Sequence, residues 1–92
     1  MTVKHMRIFL AVYQEMNITR AAELLHMTQP AVSRAVQELE GYYGIRLFER
    51  MNHKLCRTKI GEEFYARALH ITEACDDLEK SIKDWDEFGL LR

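Results

Sequence analysis

The sequence predicts a mainly α-helical fold of three helices, a short β-hairpin and one long final helix. Apolar residues recur at steps of three and four over most of the chain, which is the periodicity of amphipathic helices. Residues 45–58 instead mix apolar and charged residues in near alternation, as strands do. The final third carries an apolar seam long enough for one extended helix. With 92 residues and 48% hydrophobic content, the chain can build one small core.

An apolar stripe at mostly helical spacing predicts the first helix. Its members are Val3, Met6, Phe9, Leu10, Tyr13 and Met16. Because such a stripe is typical of a core-facing helix, we expect this helix to pack behind the two that follow.

Two helices joined by a tight turn are predicted by the stretch ITRAAELLHMTQPAVSRAVQEL. Asn17 or Thr19 can cap the start of the first helix, and Thr28 can cap the second. Pro30 falls in the first turn of the second helix, where its missing N–H costs nothing. His26 is the candidate for the left-handed conformation that the sharp turn requires. We expect the space between the helices to be filled by Ala22, Leu25, Met27, Val32 and Ala35.

The outward face of the second of these helices is polar, with members Thr28, Gln29, Ser33, Arg34, Gln37 and Glu38. A solvated surface is the plain alternative, since most helix surfaces are polar. Here the hydrogen-bonding side chains gather at the helix start, where free backbone N–H groups also favour phosphate. Glutamine and arginine are the side chains that pair with adenine and guanine edges. A helical partner precedes them at helix-turn-helix spacing, so the face predicts a helix tip that reads bases in the DNA major groove.

A β-hairpin is predicted next, with strands at 45–50 and 55–58 and a turn at 51–54. We expect Tyr42 and Tyr43, just before it, to be packing residues. A hairpin beside a helix-turn-helix is a wing, which can lie along the DNA backbone or enter the minor groove. Each of its basic residues can equally be ordinary surface charge. They are Arg50, His53, Lys54 and Arg57.

An unbroken heptad seam runs through the last third of the chain, through Phe64, Ala68, Ile71, Cys75, Leu78, Ile82 and Trp85. A helix over residues 60–88 would be roughly 40 Å long at 1.5 Å per residue. Because one small domain cannot cover such a helix, we expect part of the seam to pack on the head and the rest on a second chain. A dimer would also suit a repeated DNA half-site. We expect Cys75 to be a small buried apolar residue and Gly89 to end the helix.

The net charge of −1 conceals two unlike parts. Residues 1–60 hold nine lysines and arginines against five acids, a balance of +4. Residues 61–92 hold four basic residues against nine acids, a balance of −5. A basic head with an acidic tail is compatible with a protein that touches phosphate at one end only.

Several functional classes find no support in the composition. Cys56 and Cys75 are too few and too far apart for a disulfide framework or a zinc site. No apolar stretch is long enough for a membrane span, and the first residues do not form a signal peptide, so we expect a cytoplasmic protein. The histidines share no evident face with a nucleophile and fit no metal pattern, so we expect no catalytic residues, metal or cofactor here. They are His5, His26, His53 and His70.

A coiled-coil interaction module that does not bind DNA is the main alternative. In it the two-helix segment would be only a helical-hairpin scaffold. That alternative explains the seam and the acidic tail. It does not explain why Gln29, Ser33 and Arg34 stand at a capped helix start.

Together these features resemble the N-terminal DNA-binding domain of LysR-type transcriptional regulators. The matching residues are Phe9, Thr19, Ala21, Ala22, Leu25, Gln29 to Ser33, Leu39, Glu40, Gly44, Leu47, Phe48, Arg50, Thr58 and Gly61. The resemblance implies a winged helix-turn-helix domain over 1–59 and a linker helix over 60–88 that pairs with its partner. Residues 89–92 would begin a hinge to an effector domain that senses a small-molecule inducer and is absent from this sequence.

The resemblance also implies which residues contact double-stranded DNA. Recognition-helix contacts fall on Thr28, Gln29, Pro30, Ser33 and Arg34, and wing contacts on Arg50 and the hairpin tip. With the flanking phosphate contacts, the expected DNA-binding residues are Asn17, Arg20, Thr28, Gln29, Pro30, Ser33, Arg34, Gln37, Arg50, His53, Lys54 and Lys59. The chain departs from the family pattern at the wing. His53-Lys54 replaces Arg-Gly, and Arg57 replaces a leucine, so the second strand is expected to be shorter or shifted.

Overall fold

The computed structural model describes residues 1–91 and confirms the predicted architecture of a winged helix-turn-helix with a long final helix. The predicted end of the hinge, Arg92, lies outside the described residues. The helices are α1 (Val3–Glu15), α2 (Ile18–Leu25), α3 (Gln29–Tyr43) and α4 (Lys59–Glu87). Two antiparallel strands, β1 (Phe48–Met51) and β2 (Lys54–Arg57), form the wing between α3 and α4.

Short polar side chains set where the helices begin. The oxygens of Asn17, Thr28 and Thr58 accept the backbone N–H three residues further on, at the starts of α2, α3 and α4. Asn17 rather than Thr19 therefore caps α2. The tight turn after α2 places His26 in the left-handed region with φ 54°, as predicted.

The core lies where α1, α2 and α3 meet and is closed by the base of the wing and the first half of α4. The predicted wedge between α2 and α3 is confirmed, since Ala22, Val32 and Ala35 are buried. Burial on α1 is wider than the predicted stripe and includes Ile8 and Val12, because this helix is covered by α2, α3 and α4 together. An aromatic cluster joins three elements here: the Phe9 ring lies 5.5 Å from Phe48 and 5.1 Å from Phe64.

Both strands differ from their predicted bounds, and each shift has a physical cause. The first strand begins at Phe48 rather than residue 45, because the Glu40 carboxylate on α3 accepts the N–H groups of Leu47 (2.7 Å) and Phe48 (3.3 Å). The second strand ends at Arg57, one residue early, because Thr58 caps α4. The ladder therefore pairs Phe48 with Arg57 and Met51 with Lys54.

The junction between wing and α4 depends on Thr58 and Gly61. The Thr58 hydroxyl donates to the Arg46 carbonyl at 2.6 Å and accepts the Gly61 N–H at 2.9 Å. A Cβ built on Gly61 would lie 2.3 Å from the Leu47 carbonyl oxygen, which is closer than real contacts allow. A glycine is therefore required where α4 passes the chain that leads into β1.

The α4 helix is half covered, as the seam predicted. Its first part packs on the head through Phe64 and Ala68, with buried Thr72 one turn further along. Beyond Thr72 no described residue of α4 is buried, and seam residues from Ile71 onward are largely exposed apart from half-buried Cys75. The helix ends at Glu87 with Phe88 as its C-cap, and the predicted stop, Gly89, follows in the left-handed region (φ 72°).

Two smaller predictions were wrong. Tyr42 is not a packing residue, because 67% of its surface is exposed. Its neighbour Tyr43 is 43% exposed and only its ring edge approaches Phe64, at 5.9 Å. Both tyrosines lie in the last turn of α3, where the helix has already passed the core.

Candidate nucleic-acid interface

The start of α3 is an exposed polar tip on a buried base. Gln29 and Arg34 are exposed, while Val32 on the opposite face is fully buried. Thr28 and Pro30 are also exposed, and Ser33 is half-buried. Because the base is held by the core and the first turn is capped, the tip presents amide and guanidinium groups on a fixed helix end.

A polar cleft of about 390 Å³ joins the starts of α2 and α3 to the wing. Five of the predicted DNA-binding residues line it: Asn17, Gln29, Arg50, His53 and Lys54. The first residues of α2, Ile18 and Thr19, also line it, and the free N–H groups of a helix start favour an anionic group. Sequence reasoning missed Thr19, which also lines this cleft.

A second cleft of about 310 Å³ lies directly alongside, between the body of α3 and the wing. Ser33 and Gln37 line it from α3, and Arg50 lines it from β1. Arg50 borders both clefts and so connects them. Arg46 also lines this cleft but was missed by sequence reasoning, because a single basic residue in a loop carries no periodic signal.

Two predicted phosphate contacts lie outside these clefts. Arg20 borders a separate pocket with Glu15 and Glu23. Lys59 is exposed in the first turn of α4 and borders neither cleft. The two clefts therefore join the tip of α3 to the wing without these two residues.

The wing tip has a strained backbone. Asn52 and His53 both adopt positive φ, 52° and 61°, in the two-residue turn that joins β1 to β2. This is the turn geometry for which Asn-Gly is the preferred sequence. A histidine in the second position keeps a ring at the tip at a cost in backbone strain.

The basic side chains of this surface form no ion pair within the described residues: Arg34, Arg46, Arg50 and Lys54 have no carboxylate within ion-pair distance there. The Glu40 carboxylate also lines the second cleft, where it accepts backbone N–H groups. A separate ion pair joins α1 to α4, where Arg7 Nη2 donates to Asp76 Oδ1 at 2.9 Å. The hydrogen bond to that carboxylate raises the pKa of Arg7 above its ordinary value.

Other kinds of site find no support between residues 1 and 91. No group of three histidine, cysteine or acidic side chains in that range is arranged to hold a metal ion. None of the described helices combines the length and apolar character needed to cross a bilayer.

Comparisons with known proteins place this geometry in a family. The family described as "Bacterial regulatory helix-turn-helix protein, lysR family" matches residues 3–62. The Hca operon transcriptional activator HcaR of Escherichia coli (strain K12) is 42% identical over 77 residues, which is 84% of this chain and 26% of HcaR. The chain thus spans about a quarter of the length of this relative.

Solved structures of LysR-type regulators share the fold of this chain. The BenM DNA-binding domain, crystallised with catB site 1 DNA, superimposes with a TM-score of 0.88 at 35% identity, over 92% of this chain and 94% of that one. BenM is a transcriptional regulator of Acinetobacter baylyi. A full-length OxyR variant from Pseudomonas aeruginosa gives 0.87 at 31% identity, over 91% of this chain and 28% of OxyR. With helix-turn-helix, wing and long helix matched along nearly its whole length, the chain belongs to the LysR family of bacterial regulatory helix-turn-helix proteins.

Proposed function

We propose that this chain is the sequence-specific DNA-binding part of a LysR-type transcriptional regulator and that it binds an interrupted palindrome as a dimer. The observation that carries the proposal is the convergence of the α3 tip and the wing on one surface whose described basic side chains form no ion pair. The BenM domain was crystallised with DNA, which supports the same role for this surface.

Base reading is assigned to Gln29, Ser33 and Arg34. Their position at the exposed end of α3 suits insertion into a major groove, where glutamine and arginine distinguish adenine and guanine. Thr28, Pro30 and Gln37 flank them on the same helix.

Phosphate binding is assigned to the wing and the start of α2. Arg50, His53 and Lys54 line the cleft with Asn17, so a DNA strand passing there would meet cations from one side and helix N–H groups from the other. Arg46 is added to this set because it borders the adjoining cleft. Arg20 and Lys59 would reach phosphates only at the margins of the site.

Dimerisation is assigned to the exposed seam of α4. An apolar groove of about 470 Å³, lined by Tyr43, Ile45, Ile60 and Ile71 among others, continues the seam onto the head. We propose that a second copy covers both surfaces, since exposed apolar area of this extent is rare in monomers. The linker helix of the partner would then set the spacing between the two heads.

For a longer regulator that contains this chain, two further expectations follow. A small-molecule inducer would act through an effector domain outside this sequence, and the protein would work in the cytoplasm. No catalysis and no bound cofactor is assigned to the residues described here.

Salt-dependent binding tests the proposal most simply. Gel shifts on random-sequence duplexes over a salt series should show affinity that falls steeply as salt rises. Lys54→Ala should lower the logarithmic salt slope by about 0.9 for each bound protomer, the value of one phosphate contact. Lys80→Ala, on the acidic part of α4, is the matched control and should leave the slope unchanged.

Two outcomes would contradict the assignments. An absence of salt-sensitive binding would favour the interaction-module alternative for the whole chain. An unchanged slope with Lys54→Ala would remove that residue from the phosphate contacts.

A further inference from the structure

The base of the wing packs on α1 through buried Phe48, and an arginine adds a polar connection to the same helix. Arg57 Nη2 donates to the Tyr13 carbonyl oxygen at 2.8 Å. Its guanidinium carbon also lies 4.3 Å from the centre of the Tyr13 ring, in a cation–π contact. Arg57 is one of the basic residues of the wing, but both of these contacts hold its guanidinium against Tyr13.

The same tyrosine continues the connection to α4. The Tyr13 ring stacks on Tyr65 with ring centres 4.1 Å apart and planes 17° apart. Because two groups about 4 Å away cannot share one ring face, Arg57 and Tyr65 lie on opposite faces of Tyr13. The contacts therefore run from Arg57 on β2 to Tyr13 on α1 and on to Tyr65 on α4.

Arg57 lies at the base of the wing and lines neither of the two polar clefts. It pairs with buried Phe48 at the base of the ladder, whereas Arg50 pairs with Leu55 nearer the tip. Two residues along a strand correspond to roughly 7 Å. Arg50 borders both polar clefts, and Arg57 borders neither.

We propose that Arg57 is a positioning residue rather than a phosphate contact: it ties the wing to Tyr13 and, through Tyr65, to the linker helix. The orientation in which Arg50, His53 and Lys54 meet DNA then depends on how α4 sits on the head. A displacement of α4 at Tyr65 is passed to the wing by the stack. This inference concerns the DNA surface of the proposed function and rests on that proposal only for its DNA measurements.

Substitutions of Arg57 separate positioning from phosphate binding. Arg57→Lys keeps the positive charge but loses the planar guanidinium over the Tyr13 ring and the Nη2 donor that reaches the Tyr13 carbonyl. A phosphate contact would survive this change, and a positioning contact would not. We expect Arg57→Lys and Arg57→Ala to weaken DNA binding similarly, about three- to tenfold, with the salt slope unchanged. Arg50→Ala, the comparison variant, should lower the slope by about 0.9 for each bound protomer.

Amide hydrogen exchange on the free protein tests the coupling without DNA. Arg57→Ala should speed exchange in residues 48–57 by about three- to tenfold. Tyr65→Leu, on α4, should speed exchange in the same strands. Tyr65→Phe keeps the stacked ring and loses only the long hydrogen bond from Gln14 Nε2 to the hydroxyl (3.4 Å), so exchange in the strands should stay close to that of the unaltered protein. Because Arg57 is exposed and Tyr65 only half-buried, these variants should remain folded.

Different results would overturn the role of Arg57, the link to α4 and the proposed function. A salt slope lowered equally by Arg57→Ala and Arg50→Ala, with Arg57→Lys behaving normally, would make Arg57 a phosphate contact and overturn the inference. Wing exchange unaffected by Tyr65→Leu would overturn the link to α4. If the unaltered protein binds no DNA, the proposed function fails, and the exchange measurement still decides the coupling.

Discussion

The head and the outer half of α4 differ in how far their apolar side chains are covered. In the head, the apolar residues of α1, α2 and α3 are covered by one another, with several fully buried. On α4 beyond Thr72, Leu78 is 52% exposed and Ile82 and Trp85 are each 40% exposed. The head therefore covers its own apolar residues, whereas the outer helix leaves its apolar seam exposed, which supports the proposed second copy.

Charge divides the chain along nearly the same line. The balance is +4 over residues 1–60 and −5 over residues 61–92. Like charge keeps the acidic part of α4 away from phosphate, while the basic head is drawn to it. A net charge of −1 is thus compatible with DNA binding, because the two charges sit on different parts of the molecule.

The largest predicted effect comes from placing a charge on the seam. Leu78→Glu should convert the proposed dimer to a monomer with a folded head, as measured by sedimentation equilibrium and circular dichroism. Affinity for paired half-sites should fall about 10²–10⁴-fold, because the second head loses its effective concentration. Lys80→Glu introduces the same side chain off the seam and is the control. A dimer that withstands Leu78→Glu would mean that another surface joins the two copies.

Two glycine substitutions test how tightly α4 packs against the chain that leads into β1. Gly61→Ala should destabilise it by about 1–3 kcal/mol, because the new Cβ would meet the Leu47 carbonyl. Gly41→Ala places its Cβ in open space on α3 and should instead stabilise by about 0.5–1 kcal/mol. Urea unfolding at one fixed protein concentration measures both. Equal stabilities for the two variants would show that α4 and the β1 approach are not tightly joined.

Local chemistry explains why so much of the head could be predicted. Asn17 and Thr28 cap their helices by accepting the backbone N–H three residues further on. His26 adopts the left-handed conformation in the turn that directly follows α2. Such short-range signals are visible in a linear sequence. The two-helix motif and the exposed tip of α3 therefore followed from spacing and capping alone.

What could not be predicted depends on distant contacts. The first strand starts late because Glu40, on another element, takes the N–H groups of Leu47 and Phe48. Arg57 reaches a carbonyl 44 residues away in the chain. Neither partner is marked by periodicity, so the strand bounds were shifted and the role of Arg57 stayed open among the basic residues of the wing.

The smallest predicted effect concerns the wing tip. His53→Gly should stabilise the protein by about 0.5–1 kcal/mol, since glycine relieves the positive φ but is more flexible when unfolded. DNA affinity should not improve, because a group at the proposed phosphate cleft is lost. His53→Ala removes the ring without freeing the backbone, so thermal unfolding of that variant should show no gain. Equal gains in both variants would point to the imidazole rather than the backbone as the source of strain.

The central claim is that the tip of α3 reads bases, and selection of bound sites from a random DNA pool tests it most directly. The unaltered protein should select an interrupted palindrome. Gln29→Ala and Arg34→Ala should each relax preference at one position per half-site and cost about 1–3 kcal/mol on the selected sequence. Selection of no common sequence, or an equal loss of affinity on every duplex, would contradict base reading by this helix.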